Sequence, residues 1–129
     1  MDSPDLPLVL IVDDEPALVK LGKRALESAG YRVIVAHSGA EALAASSAGR
    51  VDLLLTDLNM PGMSGRTLAA ELRKSNAGLK ILYLTAHADE LFGLVNLLEA
   101  DEAFLEKPVT TEALRDAVAM HLLDTHARP

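Results

Sequence analysis

Leu8-Val9-Leu10-Ile11-Val12 and Leu53-Leu54-Leu55 are among the stretches of this sequence that are apolar without interruption, and Ile81-Leu82-Tyr83-Leu84 reads as a further strand of the same kind. A strand with one wet face alternates apolar and polar residues. An unbroken run implies cover on both faces, the habit of parallel sheets sandwiched between helices. Each run leads into polar residues: Asp13-Asp14 after the first, Thr56-Asp57 after the second, Thr85 after the third. In open α/β sheets the chemistry sits where the carboxyl ends of the strands meet the loops. Asp57, followed by Asn59 and the Pro61-Gly62 break, is therefore the candidate around which the rest of the chain is organised.

Helical patterns separate the strands. Pro16 suits a first helical turn, and the acids before it face the positive end of the helix dipole. Leu18, Leu21, Ala25 and Ala29 recur at helical spacing, and Gly30 closes the helix. Tyr31 to Ala36 predicts the second strand. Ser38 and Glu41 have capping-box spacing and open an Ala-rich helix to about Ser47. Ser64 caps a helix carrying Leu68, Ala69 and Leu72. A further helix is predicted over Asp89 to Glu99, although Gly93 interrupts it. Its apolar run from Leu91 to Leu98 covers too much of the circumference for a simple surface helix, so it reads as core, as an exposed docking face, or as part of each. Ala103-Phe104-Leu105 is a short fifth strand ending at Glu106-Lys107-Pro108. The last helix starts near Thr110 or Thr111 and uses Leu114, Ala117, Val118, His121 and Leu122.

Five strands alternating with five helices predict one α/β domain with a doubly wound, five-stranded parallel sheet. The expected boundaries are a flexible segment over 1–7, the domain over 8–123 and a flexible tail over 124–129. At 129 residues the chain suffices for one core and not for two ordinary ones. A net charge of −7 and the lack of a basic patch argue against direct nucleic-acid binding. The chain contains no cysteine, which removes disulfide and thiol chemistry and accords with a cytoplasmic location. No apolar run approaches the ~20 residues that span a bilayer, so no membrane insertion is expected. Residues Met1 to Pro7 carry two acids and no positive charge, unlike a signal peptide. The four histidines do not share a metal-binding spacing, with His121 and His126 five residues apart.

A parallel sheet brings all its carboxyl ends to one edge. Asp13 and Asp14, Asp57 and Asn59, Thr85, and Lys107 would meet there. Clustered carboxylates repel unless a cation joins them, and an all-oxygen set suits Mg²⁺ better than zinc or copper. In such a pocket Asp57 can act as a carboxylate nucleophile and form an acyl phosphate. Lys107 supplies a second positive charge, and the Thr85 hydroxyl a hydrogen bond to the new phosphoryl oxygens.

Four fragments, at these spacings and in this order, resemble the receiver domain of bacterial two-component response regulators: Val12-Asp13-Asp14-Glu15-Pro16, Thr56-Asp57-Leu58-Asn59-Met60-Pro61-Gly62-Met63-Ser64-Gly65, Leu84-Thr85-Ala86 and Phe104-Leu105-Glu106-Lys107-Pro108. The resemblance runs from about Leu8 to Leu123. It implies a flavodoxin-like (βα)5 fold with strand order 2-1-3-4-5, an order carried over from the family. It implies Asp57 as phosphoacceptor, with Thr85 and Lys107 as the phosphate-sensing pair. It implies a Mg²⁺ site made by Asp14, Asp57 and the backbone carbonyl of Asn59, with Asp13 reaching the ion through a water. The Lys107-Pro108 bond is expected to be cis. Phe104 stands where family members often carry a switching tyrosine. His87, two residues after Thr85, stands at a position expected to tune acyl-phosphate lifetime. The Ala-Phe-Leu-Glu-Lys-Pro wording resembles receivers associated with hybrid histidine kinases.

The function these readings imply is a phosphorylation-activated signalling switch in a phosphorelay rather than an enzyme. It would take phosphate from a sensor or hybrid histidine kinase or a histidine phosphotransfer protein, and signal to a downstream protein target through altered contacts. Two alternatives stand beside it. One is a receiver-like interaction module that works without phosphorylation. The other is a phosphatase of the haloacid-dehalogenase type, which would need an acid where Asn59 stands.

Overall fold

The computed structural model describes residues 6–86 and 101–123. Strands and helices alternate: β1 (Leu8–Val12), α1 (Pro16–Ser28), β2 (Arg32–Ala36), α2 (Gly39–Ala45), a 3-10 turn (Ser46–Ala48), β3 (Leu53–Asp57), α3 (Gly65–Arg73), β4 (Lys80–Thr85), β5 (Glu102–Glu106) and a last helix, α4 (Thr111–Leu123). All five strands are parallel, in the order β2-β1-β3-β4-β5. The expected order is borne out. Four α-helices fall among the described residues. The helix predicted over Asp89 to Glu99 lies outside them, as do His87, most of the segment 1–7 and all of the tail 124–129.

The apolar runs that lead into Asp13, Thr56 and Thr85 lie in the three inner strands, β1, β3 and β4, and every residue of these strands is buried. Their side chains alternate between two cores, as a period of two requires. Leu10, Leu54, Ile81 and Tyr83 meet α2 and α3 through Ala42, Leu68 and Leu72. Ile11, Leu53, Leu55, Leu82 and Leu84 meet α1 and α4 through Val19, Leu26, Leu114 and Val118. The edge strands β2 and β5 are only half-buried apart from Ala36 and the exposed Glu106.

Local chemistry sets the element ends. Helix α1 stops in a turn where Gly30 adopts φ +101°, with the N–H of Gly30 donating to Glu27 O and that of Tyr31 to Leu26 O. These two bonds cap the last free carbonyls of the helix. β2 therefore begins at Arg32, one residue later than the apolar pattern suggests. The Ser38 hydroxyl accepts the Glu41 N–H at 3.1 Å, as the capping spacing predicts, but the Glu41 carboxylate accepts from His37 N–H rather than Ser38 N–H. The α-helical part of that segment ends at Ala45, short of the predicted Ser47, and tightens into the 3-10 turn. Ser64 caps α3, accepting the Thr67 N–H at 3.2 Å.

Candidate phosphoryl-acceptor site

The fold delivers the sequence-predicted residues to one edge. Asp13 follows β1, Asp57 is the last residue of β3, Thr85 the last of β4, and Lys107 follows β5. β3 lies between β1 and β4, so Asp57 has a strand end on either side. Its backbone is tied down by three contacts. The Thr56 hydroxyl donates to the Asp57 carbonyl at 3.0 Å, and the Leu58 N–H donates to Leu84 O at 2.8 Å. Gly65 lies so close that a Cβ there would collide with the Asp57 carbonyl oxygen. The Asn59 N–H donates to Asp57 Oδ1 at 3.4 Å.

One carboxylate oxygen from each of Asp13, Asp14 and Asp57 lies within 4.8 Å of the others. Asp13 and Asp57 are buried, whereas Asp14 is exposed. Lys107 reaches over this group: its Nζ donates to Asp13 Oδ2 at 3.0 Å and stands 3.6 Å from Asp57 Oδ2 and 3.7 Å from Glu15 Oε1. The lysine itself is held by its backbone N–H, which donates to the Thr85 carbonyl at 2.7 Å. The Lys107-Pro108 bond is cis, as expected. Thr85 is fully buried at the position after Leu84, the β4 residue paired with Asp57. Phe104 is half-buried, packs against the α2–α3 core and is paired with Tyr83 across β4 and β5.

Burial and charge set the protonation of the group. Burial pushes the Asp57 carboxyl above its ordinary value, and the neighbouring Asp13 charge adds to this while Lys107 opposes it. Burial likewise raises Asp13, against the pull of the Glu15 N–H and of Lys107. For Lys107 burial works downward. The hydrogen bond to Asp13 and the charges of Asp13, Asp57 and Glu15 outweigh it, so the ammonium is held above its ordinary value. A cation placed among the three carboxylates would lower the cost of ionising all of them. Hard oxygen donors at bridging distance suit Mg²⁺.

Several side-chain partnerships escape sequence reasoning, one at the site and the others farther down the sheet, toward the amino ends of the strands. Glu15 reads as a helix-start acid, yet it approaches Lys107. Tyr83 reads as an apolar filler, yet its hydroxyl donates to Glu102 Oε2 at 3.1 Å. The same oxygen takes Arg73 at 3.3 Å, and Arg73 also clamps the Leu79 carbonyl through Nε and Nη2. On the other side of the sheet Lys80 pairs with Asp101 at 2.9 Å. His121 places Nε2 3.0 Å from both the Ile81 and the Asp101 carbonyl, which ties α4 to the start of β4 and β5.

Known proteins resemble this chain in sequence and in fold. The family model described as "Response regulator receiver domain" matches residues 9–119. Transcriptional regulatory protein GlrR of Escherichia coli is 40% identical over 110 residues, 85% of this chain and 25% of that protein. Sensor kinase CckA of Brucella abortus is 39% identical over 112 residues, 85% of this chain and 12% of that protein. The chain thus spans a quarter or less of the length of these relatives. Among solved structures, a receiver domain protein from Clostridium thermocellum superposes with a TM-score of 0.81 at 28% identity, covering 95% of this chain and 98% of that one. Response regulator protein TrrA from Thermotoga maritima, in complex with Mg²⁺-BeF, gives 0.76 at 35% identity, covering 90% and 99%. No described helix is long and apolar enough to cross a membrane. With its five-stranded sheet, its strand-end acids and these matches, the chain belongs to the response regulator receiver domains, the phosphorylation-based signalling modules of two-component systems.

Proposed function

We propose that Asp57 accepts a phosphoryl group from a phosphohistidine on a sensor or hybrid histidine kinase or a phosphotransfer protein, and that the chain acts as a switch rather than as a turnover enzyme. The observation that carries this reading is the position of Lys107 Nζ, 3.6 Å from Asp57 Oδ2, above carboxylates close enough to share one cation. In the transfer, an Asp57 carboxylate oxygen forms a bond to phosphorus as the phosphorus–nitrogen bond breaks. The electron pair of the broken bond stays on the imidazole, and an acyl phosphate remains on Asp57.

Asp14, Asp57 and the Asn59 carbonyl would hold Mg²⁺, with Asp13 behind them, and the bound ion supplies charge neutralisation for the phosphoryl oxygens. Lys107 supplies a second cation to the same oxygens and Thr85 a hydroxyl. Phe104, packed by Tyr83, would repack when those two residues move, changing contacts with a downstream protein. Kinase-associated relatives such as CckA support a kinase partner for this chain too. The presence of Asn59, two residues after the acceptor, supports a switch over a phosphatase that needs an acid there.

The test is incubation with acetyl phosphate and Mg²⁺ followed by intact-mass measurement. One phosphoryl adduct, lost in Asp57→Ala, is the expected result. An unmodified wild-type chain would leave the interaction-module reading in its place.

A further inference from the structure

Glu15 occupies the N-cap position of α1, where Ser, Thr, Asp and Asn are the usual residues because their short side chains reach the helix N–H groups. Its backbone is extended as a cap requires, but its side chain makes no capping bond. The carboxylate stands instead 3.7 Å from Lys107 Nζ. Asp13 holds both members of this pair. Its Oδ1 accepts the Glu15 N–H at 2.9 Å, and its Oδ2 accepts Lys107 Nζ at 3.0 Å. The three residues close a ring across 94 positions of sequence. Within it the lysine ammonium is almost equidistant from Asp57, at 3.6 Å, and from Glu15, at 3.7 Å.

Resting on the assignment of Asp57 as phosphoacceptor, we propose that Glu15 is a positioning residue that competes with Asp57 for Lys107 and thereby limits delivery of the lysine to the incoming phosphoryl group. Before transfer the ammonium is shared among three carboxylates. A phosphoryl group, with a charge of about −1.5 to −2, outcompetes a single carboxylate and draws the lysine away from Glu15. The Glu15 side chain is 65% exposed, so water takes over its solvation when Lys107 leaves. Both residues line an open groove of about 530 Å³ with Leu18, Leu21, Pro108 and Val109. The exchange therefore takes place at the rim of the pocket.

The experiment measures initial rates of acetyl phosphate labelling by intact mass, with saturating Mg²⁺, for wild type, Glu15→Gln and Glu15→Asp. Each is made with Lys107 present and in a Lys107→Met background. Glu15→Asp keeps the charge and is a favoured cap, but shortens the reach to Lys107. With Lys107 present, both variants should label about two- to fivefold faster than wild type, the range an exposed ion pair supports. In the Lys107→Met background both should label at the rate of their parent. The proposal is overturned if Glu15→Asp matches wild type while Glu15→Gln is faster, since charge alone would then act. It is also overturned if the same factor persists without Lys107, or if neither variant differs from wild type. Labelling retained in Asp57→Ala would overturn the acceptor assignment and this proposal with it. That failure is recognisable because the comparison involves no Glu15 variant.

Discussion

The α-carbon of Gly65 sits against the carbonyl oxygen of Asp57, with no room between them for a methyl group. The start of α3 is thereby packed directly on the backbone of the acceptor. The contact is reinforced by the Gly65 N–H, which donates to Leu58 O at 2.9 Å. Gly65→Ala must push one segment off the other. Overpacking of this kind costs about 1–3 kcal/mol, which thermal unfolding would register. Displacement of the acceptor should also slow acetyl phosphate labelling roughly tenfold or more. Unchanged labelling in a destabilised variant would mean that the two segments move together.

The buried carboxylates give a stability signature with a definite sign. Asp13 and Asp57 are both raised above the ordinary 3.8, so the folded chain keeps these protons to higher pH than the unfolded chain does. The stability this confers is complete below the ordinary value and is lost as pH climbs through the raised values. Without Mg²⁺, Asp57→Asn should therefore melt a few degrees above wild type at pH 7, and the gain should shrink in acid below the ordinary carboxylate range. Adding Mg²⁺ should stabilise the wild type more than the variant. A variant melting below wild type at pH 7 in the chelated state would contradict the sign.

Metal dependence gives a separate check. Chelation with EDTA should abolish labelling of Asp57. Asp14→Asn removes the exposed member of the carboxylate trio and should weaken Mg²⁺ binding at least tenfold, since even outer-shell substitutions at metal sites cost ~10- to 100-fold. Isothermal titration with MgCl₂ measures this directly.

The Tyr83–Glu102–Arg73 cluster makes a prediction that does not involve phosphate. The Tyr83 ring is buried, and Glu102 receives both the hydroxyl and the guanidinium. Burial, with the Glu102 charge and hydrogen bond behind it, holds the Tyr83 phenol far above its ordinary value, so it remains a donor at any working pH. Tyr83→Phe removes one hydrogen bond to a charged acceptor and should cost about 1–2 kcal/mol. Glu102→Ala strands the hydroxyl and should cost about 2–3 kcal/mol. Urea unfolding with an unchanged m-value would read both. Equal costs would show that the Tyr83 hydroxyl finds another acceptor once Glu102 is gone.

The elements most legible in the sequence were those whose environment is uniform. Leu8 to Val12, Leu53 to Leu55 and Ile81 to Leu84 are covered on both faces, as an unbroken apolar run closed by polar residues suggests, whereas Val33 to Ala36 reads the same way in the sequence and belongs to the half-buried edge strand β2. Asp13, Asp57, Thr85 and Lys107 were legible because strand ends of a parallel sheet share an edge, so convergence follows from topology alone. The choice of partners was not legible. Glu15, Lys80 and Glu102 look like ordinary surface charges, and what they touch lies 92, 21 and 29 residues away at Lys107, Asp101 and Arg73. Only tertiary distance decides among the several opposite charges that each of them could meet. Tyr83 shows the same limit from the apolar side, since nothing within its own strand reveals where its hydroxyl goes.

The acceptor stands at the tip of the innermost strand, whose leucines wedge into both halves of the hydrophobic interior. Its reactive oxygen is therefore aimed by Leu53, Leu54 and Leu55, none of which comes near phosphate. A truncation as remote as Leu54→Ala can misdirect that oxygen and silence signalling while leaving every charged group intact. Loss-of-signal variants of this chain should accordingly turn up along the greasy spine beneath Asp57 as well as at the polar rim.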